Sequence, residues 1–287
     1  MRDEVDTARS AECRADHWHM EVIRKPPHPA PFRFVLFDFD GTVSLIREGW
    51  QKVMIPYFVE VLGAAPLAEA EPSIRRAVTD FVDRLTGKQT IFQCIRLDEE
   101  VRKRGGPPAD PGAYKAEYLR RLEEHIKERV AALERNADPD GYLVPGCREF
   151  FSILKNRGYQ LHLASGTDEE DVLREASLLG ITGWFDGHIH GARENLTDCS
   201  KELVIRNIIR ENRLTGRELL SFGDGFVEIE LAAGIGGYAV GVASDERRRK
   251  GVNQHKRARL LEAGADMIIP DFSEAKAMMD YLESGGV

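Results

Sequence analysis

Polar side chains that could do chemistry follow three short apolar segments. In FVLFDFDGTVS, residues 34–44, Asp38 and Asp40 come directly after FVLF, a run with the composition of a buried strand. Ser165 follows the similar run LHLA, and Asp224 follows LLSFG. A single residue of this kind would be read as a helix N-cap or a turn residue. Agreement among three strands favours a shared site instead.

Acidic residues gathered at such a site must be neutralised. Two like charges about 4 Å apart repel by roughly 4 kcal/mol at an effective dielectric constant near 20, so the acids must take up protons or hold a cation. Mg²⁺ suits a site with a few carboxylates and several waters. We therefore predict a magnesium site formed by Asp38, Asp40, Asp224 and Glu228.

A metal that neutralises these acids would let a phosphate dianion approach them. The phosphate would also need donors, which hydroxyl groups, backbone N–H groups and a lysine can supply. Lys201 opens the helical pattern KELVIRNII and can provide the positive charge. The predicted phosphate-binding residues are Gly41, Thr42, Ser165, Gly166 and Lys201.

The elements that would hold these residues alternate between helix and strand. After VPG, residues 144–146, amphipathic segments that often end in glycine alternate with short apolar runs. This alternation predicts an α/β fold, with a Rossmann-like parallel sheet covered by helices on both faces. Ligands bind beyond the carboxyl ends of the strands in such sheets. Asp38, Ser165 and Asp224 would therefore share one edge.

The segment after the first strand has a different pattern. Its apolar residues recur every three or four positions with charged residues between them, and its breaks fall at glycines and at GGPPADPG. We expect a helical cap domain at 47–140, inserted into a core formed by 32–46 and 141–287. Residues 1–31, which end in IRKPPHPAP, are expected to form an N-terminal arm.

Composition excludes several classes of protein. The 287 residues carry a formal charge of −8, which gives no electrostatic basis for binding nucleic acid. No run of about eighteen apolar residues or secretory leader occurs, so we expect no membrane partner and a cytoplasmic protein.

The four cysteines form no CxxC pair. His188 and His190 alternate in GHIHG and are expected to be surface residues. The sequence indicates no oligomeric state.

The order of these motifs resembles a known family. DFDGT, ASGT, Lys201 and GDGFVE are similar to the four signature motifs of the haloacid dehalogenase-like (HAD) phosphohydrolases, over residues 34 to about 275. The helical insert resembles the cap of the subfamily that includes phosphoglycolate phosphatases and β-phosphoglucomutases. Many relatives have aspartate where this chain has Glu228. An aspartate at position 40 favours phosphate esters, because the dehalogenases of the family lack it.

The resemblance implies a role for each core residue. Asp38 would be the nucleophile that forms an aspartyl-phosphate, and Asp40 the general acid and then the base. Ser165 and Lys201 would hold the phosphoryl oxygens. Asp38, the backbone carbonyl of Asp40 and Asp224 would ligate Mg²⁺. Glu228 would orient either a metal-bound water or the lysine.

Three further basic residues are candidates for contacting the substrate. Lys88 lies in TGKQT, residues 86–90, a polar loop between two predicted helices; its glycine alone would be explained as a helix end. Arg47 follows the first motif and Arg193 follows the second. We expect a Mg²⁺-dependent phosphatase acting on a small phosphorylated metabolite, such as a sugar phosphate or a phosphoglycolate-like compound. A phosphomutase and a non-catalytic ligand sensor remain the alternatives.

Overall fold

The computed structural model describes residues 20–193 and 201–286. In these ranges seven strands form one sheet. The strands are β1 (Glu21–Val22), β2 (Phe34–Phe37), β3 (Gln160–Asp168), β4 (Ile189–Ala192), β5 (Leu219–Gly223), β6 (Tyr238–Val242) and β7 (Met267–Ile269). Their order across the sheet is β1-β7-β6-β5-β2-β3-β4. All neighbours are parallel except β1 and β7.

The described ranges also contain ten α-helices. They are α1 (Gln51–Gly63), α2 (Glu71–Arg84), α3 (Thr90–Lys103), α4 (Pro111–Glu134), α5 (Cys147–Asn156), α6 (Glu169–Leu178), α7 (Lys201–Asn212), α8 (Phe226–Gly234), α9 (Gln254–Glu262) and α10 (Ala275–Ser284). Short 3₁₀ turns occur at Pro139–Tyr142 and Thr182–Trp184. None of the described helices combines the length and apolarity needed to cross a membrane.

Strand β2 lies in the interior of the sheet, between β5 and β3, and all four of its residues are buried. Because successive side chains point to opposite sides, the strand is covered on both faces. On one face Phe37 packs against Phe151 and Phe222, with both pairs of ring centroids 5.2 Å apart. On the other face Leu36 packs in a cluster with Val204 and Ile208 of α7. The predicted sheet with helices on both faces is therefore confirmed.

Helices α1–α4 occupy the predicted insert between β2 and α5. The insert begins and ends in neighbouring segments: Leu45 N donates to Tyr142 O at 2.8 Å, and Val144 N donates to Val43 O at 3.0 Å. Within the insert, the Asp110 side chain caps α4 by accepting from the backbone of Gly112. The two adjacent connections are compatible with the predicted boundaries at 47–140, which stay a prediction.

The predicted N-terminal arm contributes one strand to the sheet. Residues 21–22 pair antiparallel with β7, and Arg24 extends the contact by donating from Nη2 to Asp266 Oδ2 at 2.8 Å. Tyr238 Oη also donates to Arg24 O, at 2.6 Å. A strand of two residues is too short to produce an alternating pattern, which is why the sequence did not predict it. The first nineteen residues of the arm lie outside the described ranges.

Candidate active site

The strand register brings the three predicted groups to one edge. Phe37, the last residue of β2, pairs with Leu163 of β3 and with Phe222 of β5. The residues that follow each pairing therefore lie near the same edge of the sheet. Asp38 and Asp40 follow β2, Asp224 follows β5, and Ser165 lies two residues after Leu163. Strand β3 continues to Asp168, beyond the apolar run LHLA that precedes Ser165.

A buried lysine joins two of the acids. Lys201, the first residue of α7, donates from Nζ to Asp38 Oδ1 at 2.6 Å and to Glu228 Oε2 at 2.8 Å. Burial raises the pKa of Asp38 well above its usual value, and the nearby Glu228 raises it further, against the opposing effect of Lys201. Burial alone would lower the pKa of Lys201, but the two carboxylates outweigh it and raise that pKa. The lysine therefore stays charged.

The Asp40 side chain points away from this lysine. Its Oδ2 accepts from Thr167 Oγ1 at 2.7 Å and from Ser165 Oγ at 3.4 Å. Its Oδ1 is buried and has no hydrogen-bond partner among the residues that the structure describes. The nearest cation to that oxygen is Arg47, whose Nε is 3.9 Å away. Asp38 and Asp40, two residues apart, therefore have separate surroundings.

Arg47 is held beside Asp40 by helix α6. Its guanidinium donates to Glu175 Oε1 at 2.8 and 2.9 Å and to Asp171 Oδ2 at 3.0 Å. Burial alone would lower the pKa of Arg47, but Glu175 and Asp40 raise it overall. Burial raises the pKa of Glu175 to about 7, despite the opposing charge of Arg47. This network fixes the Arg47 guanidinium beside Asp40 at the cap side of the site.

The carboxylate cluster, Asp38, Asp224 and Glu228, fits a divalent metal. One carboxylate oxygen from each residue lies within 4.8 Å of the others. All three ligand atoms are carboxylate oxygens, which hard cations such as Mg²⁺ prefer, and two of the three residues, Asp38 and Glu228, are buried. The side chain of Asp40 is not in the cluster. This agrees with a metal contact through its backbone carbonyl only.

The comparisons with known proteins agree with this geometry. A family model described as haloacid dehalogenase-like hydrolase matches residues 32–236, more than half of the chain. The chain belongs to the haloacid dehalogenase-like hydrolases. A search of curated proteins found no match.

Solved structures of HAD-like hydrolases share the fold at low identity. A predicted phosphoglycolate phosphatase from Haemophilus somnus is 18% identical with a TM-score of 0.58, covering 87% of this chain and 98% of its own. β-Phosphoglucomutase from Clostridium difficile is 14% identical with a TM-score of 0.55, covering 88% and 97%. A family hydrolase from Deinococcus radiodurans with bound phosphate and sodium is 16% identical with a TM-score of 0.52, covering 88% and 97%.

Two residues of the DFDGT motif in this HAD-like hydrolase have contacts that the sequence did not predict. The Gly41 N–H donates to Ser44 O at 2.9 Å, so it does not face the site as a free donor. Gly41 has a φ of +78°, and a Cβ atom there would lie 2.3 Å from Asp224 Oδ2. The glycine is needed because it allows close approach of Asp224. Thr42 is fully buried and its hydroxyl lies 3.4 Å from Asp38 Oδ2.

The predicted loop TGKQT covers the site. A Cβ atom at Gly166 would lie 2.4 Å from Lys88 O, so the loop backbone rests directly on this glycine. The resulting cavity has a volume of about 70 Å³ and is lined by Asp38, Asp40, Ser165 and Lys201. On the cap side it is lined by Arg47, Trp50, Thr86, Gly87, Lys88 and Tyr118.

Arg193 is the one basic candidate that the structure places elsewhere. Its Nε donates to Glu169 at 3.1 Å, and it lines a different cavity beside β4. Strand β4 is at the edge of the sheet, two positions from β2. A residue that follows it is therefore displaced from the central strand ends. Arg193 does not line the active-site cavity.

Sequence reasoning missed a second lysine of the HAD-like site. Lys256 of α9 contacts Asp224 Oδ2 and Glu246 Oε1, both at 2.7 Å, and Ser244 Oγ at 3.2 Å. Burial alone would lower the pKa of Lys256, but the two carboxylates raise it overall. Its segment QHKRARLLE is typical of a solvated helix surface, so no local signal could have identified it. The partners of Arg47 on α6 were missed for the same reason.

Proposed function

We propose that this chain is a Mg²⁺-dependent phosphatase that hydrolyses a small phosphomonoester through an aspartyl-phosphate on Asp38. One observation carries the proposal. The buried Asp38, which is hydrogen-bonded to Lys201, lines the same cavity as Asp40, whose Oδ1 has no hydrogen-bond partner in the described structure. A nucleophile beside a cation and a second carboxyl free to exchange a proton are what the reaction requires.

The first half-reaction uses both aspartates. An Asp38 carboxylate oxygen attacks phosphorus, the bond from phosphorus to the ester oxygen breaks, and the leaving oxygen takes a proton from Asp40. Lys201 and the Ser165 hydroxyl are positioned to hold the phosphoryl oxygens as charge develops on them. The contact of Lys201 with Glu228 at 2.8 Å supports a role for Glu228 in orienting the lysine.

The second half-reaction reverses these roles. Asp40, now a carboxylate, removes a proton from water, and the water oxygen attacks phosphorus. The bond between phosphorus and Asp38 breaks, which restores the Asp38 carboxylate and releases inorganic phosphate. Mg²⁺, bound by Asp38, Asp224 and the Asp40 carbonyl, would neutralise the acids and polarise the phosphoryl oxygens. Glu228 and Lys256 complete the charge balance around these residues.

The cavity supports a small, polar substrate. A cavity needs about 10–15 Å³ of accessible volume to hold one water molecule. The active-site cavity of about 70 Å³ therefore holds only a few water-sized groups. Lys88 adds positive charge at the cap side, and the Arg47 guanidinium also lines the cavity there. A second anionic or hydroxylated group of the substrate would lie beside them. A sugar phosphate or a phosphoglycolate-like compound fits this description. The bound phosphate in the Deinococcus radiodurans relative supports a phosphoryl ligand for this fold.

The cap loop supports a reaction that alternates between closed and open forms. Lys115 of α4 pairs with Asp168 at 2.6 Å and links the cap to the core. Closure over Gly166 excludes water while Asp38 attacks, and opening admits water for the second half-reaction.

The test measures hydrolysis of an aryl phosphate by the full chain with Mg²⁺, and again after addition of a chelator. We expect the activity to require Mg²⁺. Asp38→Asn should lower kcat by at least about 10⁴-fold, as removal of a nucleophile does in other hydrolases, while circular dichroism is unchanged. Asp80→Asn, at an exposed position of α2, is the matched control. Unchanged turnover in Asp38→Asn would sink the mechanism.

Product analysis separates hydrolysis from phosphoryl transfer between hydroxyls. A panel of phosphorylated metabolites is incubated with enzyme and Mg²⁺, and inorganic phosphate and isomerised sugar phosphates are both measured. We expect free phosphate. Isomerisation without phosphate release would assign the chain to the phosphomutase alternative, which shares the same core residues.

A further inference from the structure

Three histidines form a second cluster on the same sheet. His162 lies in β3, His190 lies in β4, and His188 immediately precedes β4. One ring nitrogen from each lies within 4.8 Å of the others. The ring centroids of His162 lie 4.3 Å from His188 and 6.4 Å from His190. The expectation that His188 and His190 are ordinary surface residues is corrected, because the adjacent strand places a third, buried histidine beside them.

This histidine cluster is separate from the active site. It borders a cavity of about 360 Å³, which is also lined by Val204 and Ile208 of α7. None of the residues that line it lines the active-site cavity. His162 precedes Ser165 by only three residues on β3, yet it lies on the face of the sheet that α7 covers.

The polar atoms of His162 lack the partners that buried groups normally have. The residue is only 4% exposed, and neither ring nitrogen has a hydrogen bond within the described part of the chain. Burial lowers the pKa of His162 to about 3, with smaller contributions from His188 and His190. The ring is therefore neutral at physiological pH and has a lone pair available. Leaving such a group unpaired is costly, so a ligand at this position would relieve the cost.

The surroundings suit a cation better than an anion. Burial also lowers the pKa of His190, so this ring too is neutral near pH 7. Glu211 of α7 lines the cavity and carries negative charge, part of which is matched by Arg210, whose Nη2 lies 3.8 Å from Glu211 Oε1. Arg193 also lines it, but Arg193 is paired with Glu169. The Gln160 side-chain amide lies 2.9 Å from His188 Nε2. Turned so that Oε1 faces the ring, this amide would accept from the Nε2–H group and leave Nδ1 as the ligand, as groups behind metal-binding histidines commonly do.

We propose that His162, His188 and His190 bind a divalent transition-metal ion, Zn²⁺ in particular, and thereby tie the edge strand β4 to β3. Imidazole nitrogen is a preferred ligand of Zn²⁺, and three histidines with one open position form a known tetrahedral arrangement. With Zn–N bonds of about 2.0–2.1 Å, the ligand nitrogens would lie about 3.3 Å apart. The nitrogens now lie within 4.8 Å of one another, so metal binding would draw them closer by up to about 1.5 Å.

The experiment uses the untagged full chain, stripped of metal and kept in excess Mg²⁺ so that the carboxylate cluster is not the site measured. His17→Gln and His19→Gln are included throughout, because these histidines lie outside the described residues and could bind metal themselves. Co²⁺ is added first, since four-coordinate Co²⁺ bound by nitrogen gives intense visible absorption. Zn²⁺ is then added as a competitor.

We expect one equivalent of Co²⁺ to bind with a tetrahedral spectrum and to be displaced by Zn²⁺. Zn²⁺ at 100 times its Kd should raise the Tm by about 5 °C. Both effects should be lost in His188→Gln/His190→Gln and kept in His125→Gln/His255→Gln, a matched pair of exposed histidines. Circular dichroism and aryl phosphate hydrolysis check that the variants fold. Absence of the tetrahedral spectrum, or equal binding by both double variants, would overturn the proposal.

Discussion

The carboxylate cluster and the histidine cluster lie close together in the sheet but balance their polar groups in different ways. At the carboxyl ends of the strands, buried charges are matched by buried charges: Lys201 pairs with Asp38 and Glu228, and Arg47 pairs with Glu175. In the histidine cluster the rings of His162 and His190 are neutral, and His162 has no partner in the described ranges. In the carboxylate cluster the charges are balanced even when no ligand is bound. In the histidine cluster the buried ring nitrogens of His162 stay unsatisfied without a ligand.

Of the changes considered, removal of Lys201 should lower the free energy of unfolding the most. Lys201→Met leaves Asp38 and Glu228 buried without their counter-ion, and breaking a buried pair in this way costs about 3–5 kcal/mol. We expect that loss in the free energy of unfolding, measured by urea denaturation without metal. Lys127→Met, at an exposed position, is the control. A loss below about 1 kcal/mol would mean that the lysine does not balance these charges.

The pH dependence of stability tests how the buried charges of Arg47 and Glu175 are balanced. The pKa of Glu175 is about 7 in the folded chain and 4.5 when unfolded. Between these values the native state holds a proton that the unfolded state has released. The contribution of this group to stability is therefore present below pH 4.5 and is lost as pH rises through 7.

Glu175→Gln removes this titration and isolates it from the other groups. The difference in unfolding free energy, wild type minus variant, should decrease by up to about 3 kcal/mol between pH 4.5 and 7.5. Urea denaturation at several pH values measures it. A difference that rises with pH would show instead that Glu175 is stabilised as the carboxylate by Arg47.

The cap loop at 86–90 covers the active site, whereas no residue of this loop lines the cavity of the histidine cluster. Gly166→Ala places a methyl group 2.4 Å from Lys88 O, so the loop at 86–90 must shift. A displacement of about 1 Å at an active site can cost about 10²-fold in rate, and we expect kcat/KM to fall by about 10–100-fold with little change in Tm. Gly183→Ala is the control, because its methyl group would meet no atom within 4 Å. Equal activity in both variants would contradict closure by this loop.

The smallest effect is expected at the histidine cluster without metal. His190→Gln in the metal-free chain should change the unfolding free energy by less than about 0.5 kcal/mol and leave aryl phosphate hydrolysis unchanged. Denaturation and steady-state kinetics measure the two quantities. A marked loss of activity would mean that the two clusters are coupled through β3.

Residues at strand ends were predictable from the sequence. The runs before Asp38, Ser165 and Asp224 are short, apolar and bounded by glycine or polar residues, and alternation with helices indicates a parallel sheet. Parallel strands have their carboxyl ends at one edge, so local patterns were enough to bring these residues together. Lys201 was predictable because it opens a helix that follows the second motif. The helical insert was predictable from its periodicity, although its boundaries stay a prediction.

Only the tertiary structure decided which helix surfaces face the site. Lys256 and Glu175 lie in helices whose charged residues are typical of solvent-exposed faces. The packing of α6 buries Glu175, and the packing of α9 leaves the Lys256 side chain only 12% exposed. His162 and His190 lie 28 positions apart in the sequence, and only the pairing of β3 with β4 brings them together. The sequence determined the elements and the residues at their ends, because these depend on local composition. Contacts between distant side chains depend on how those elements pack, and no local pattern encodes them.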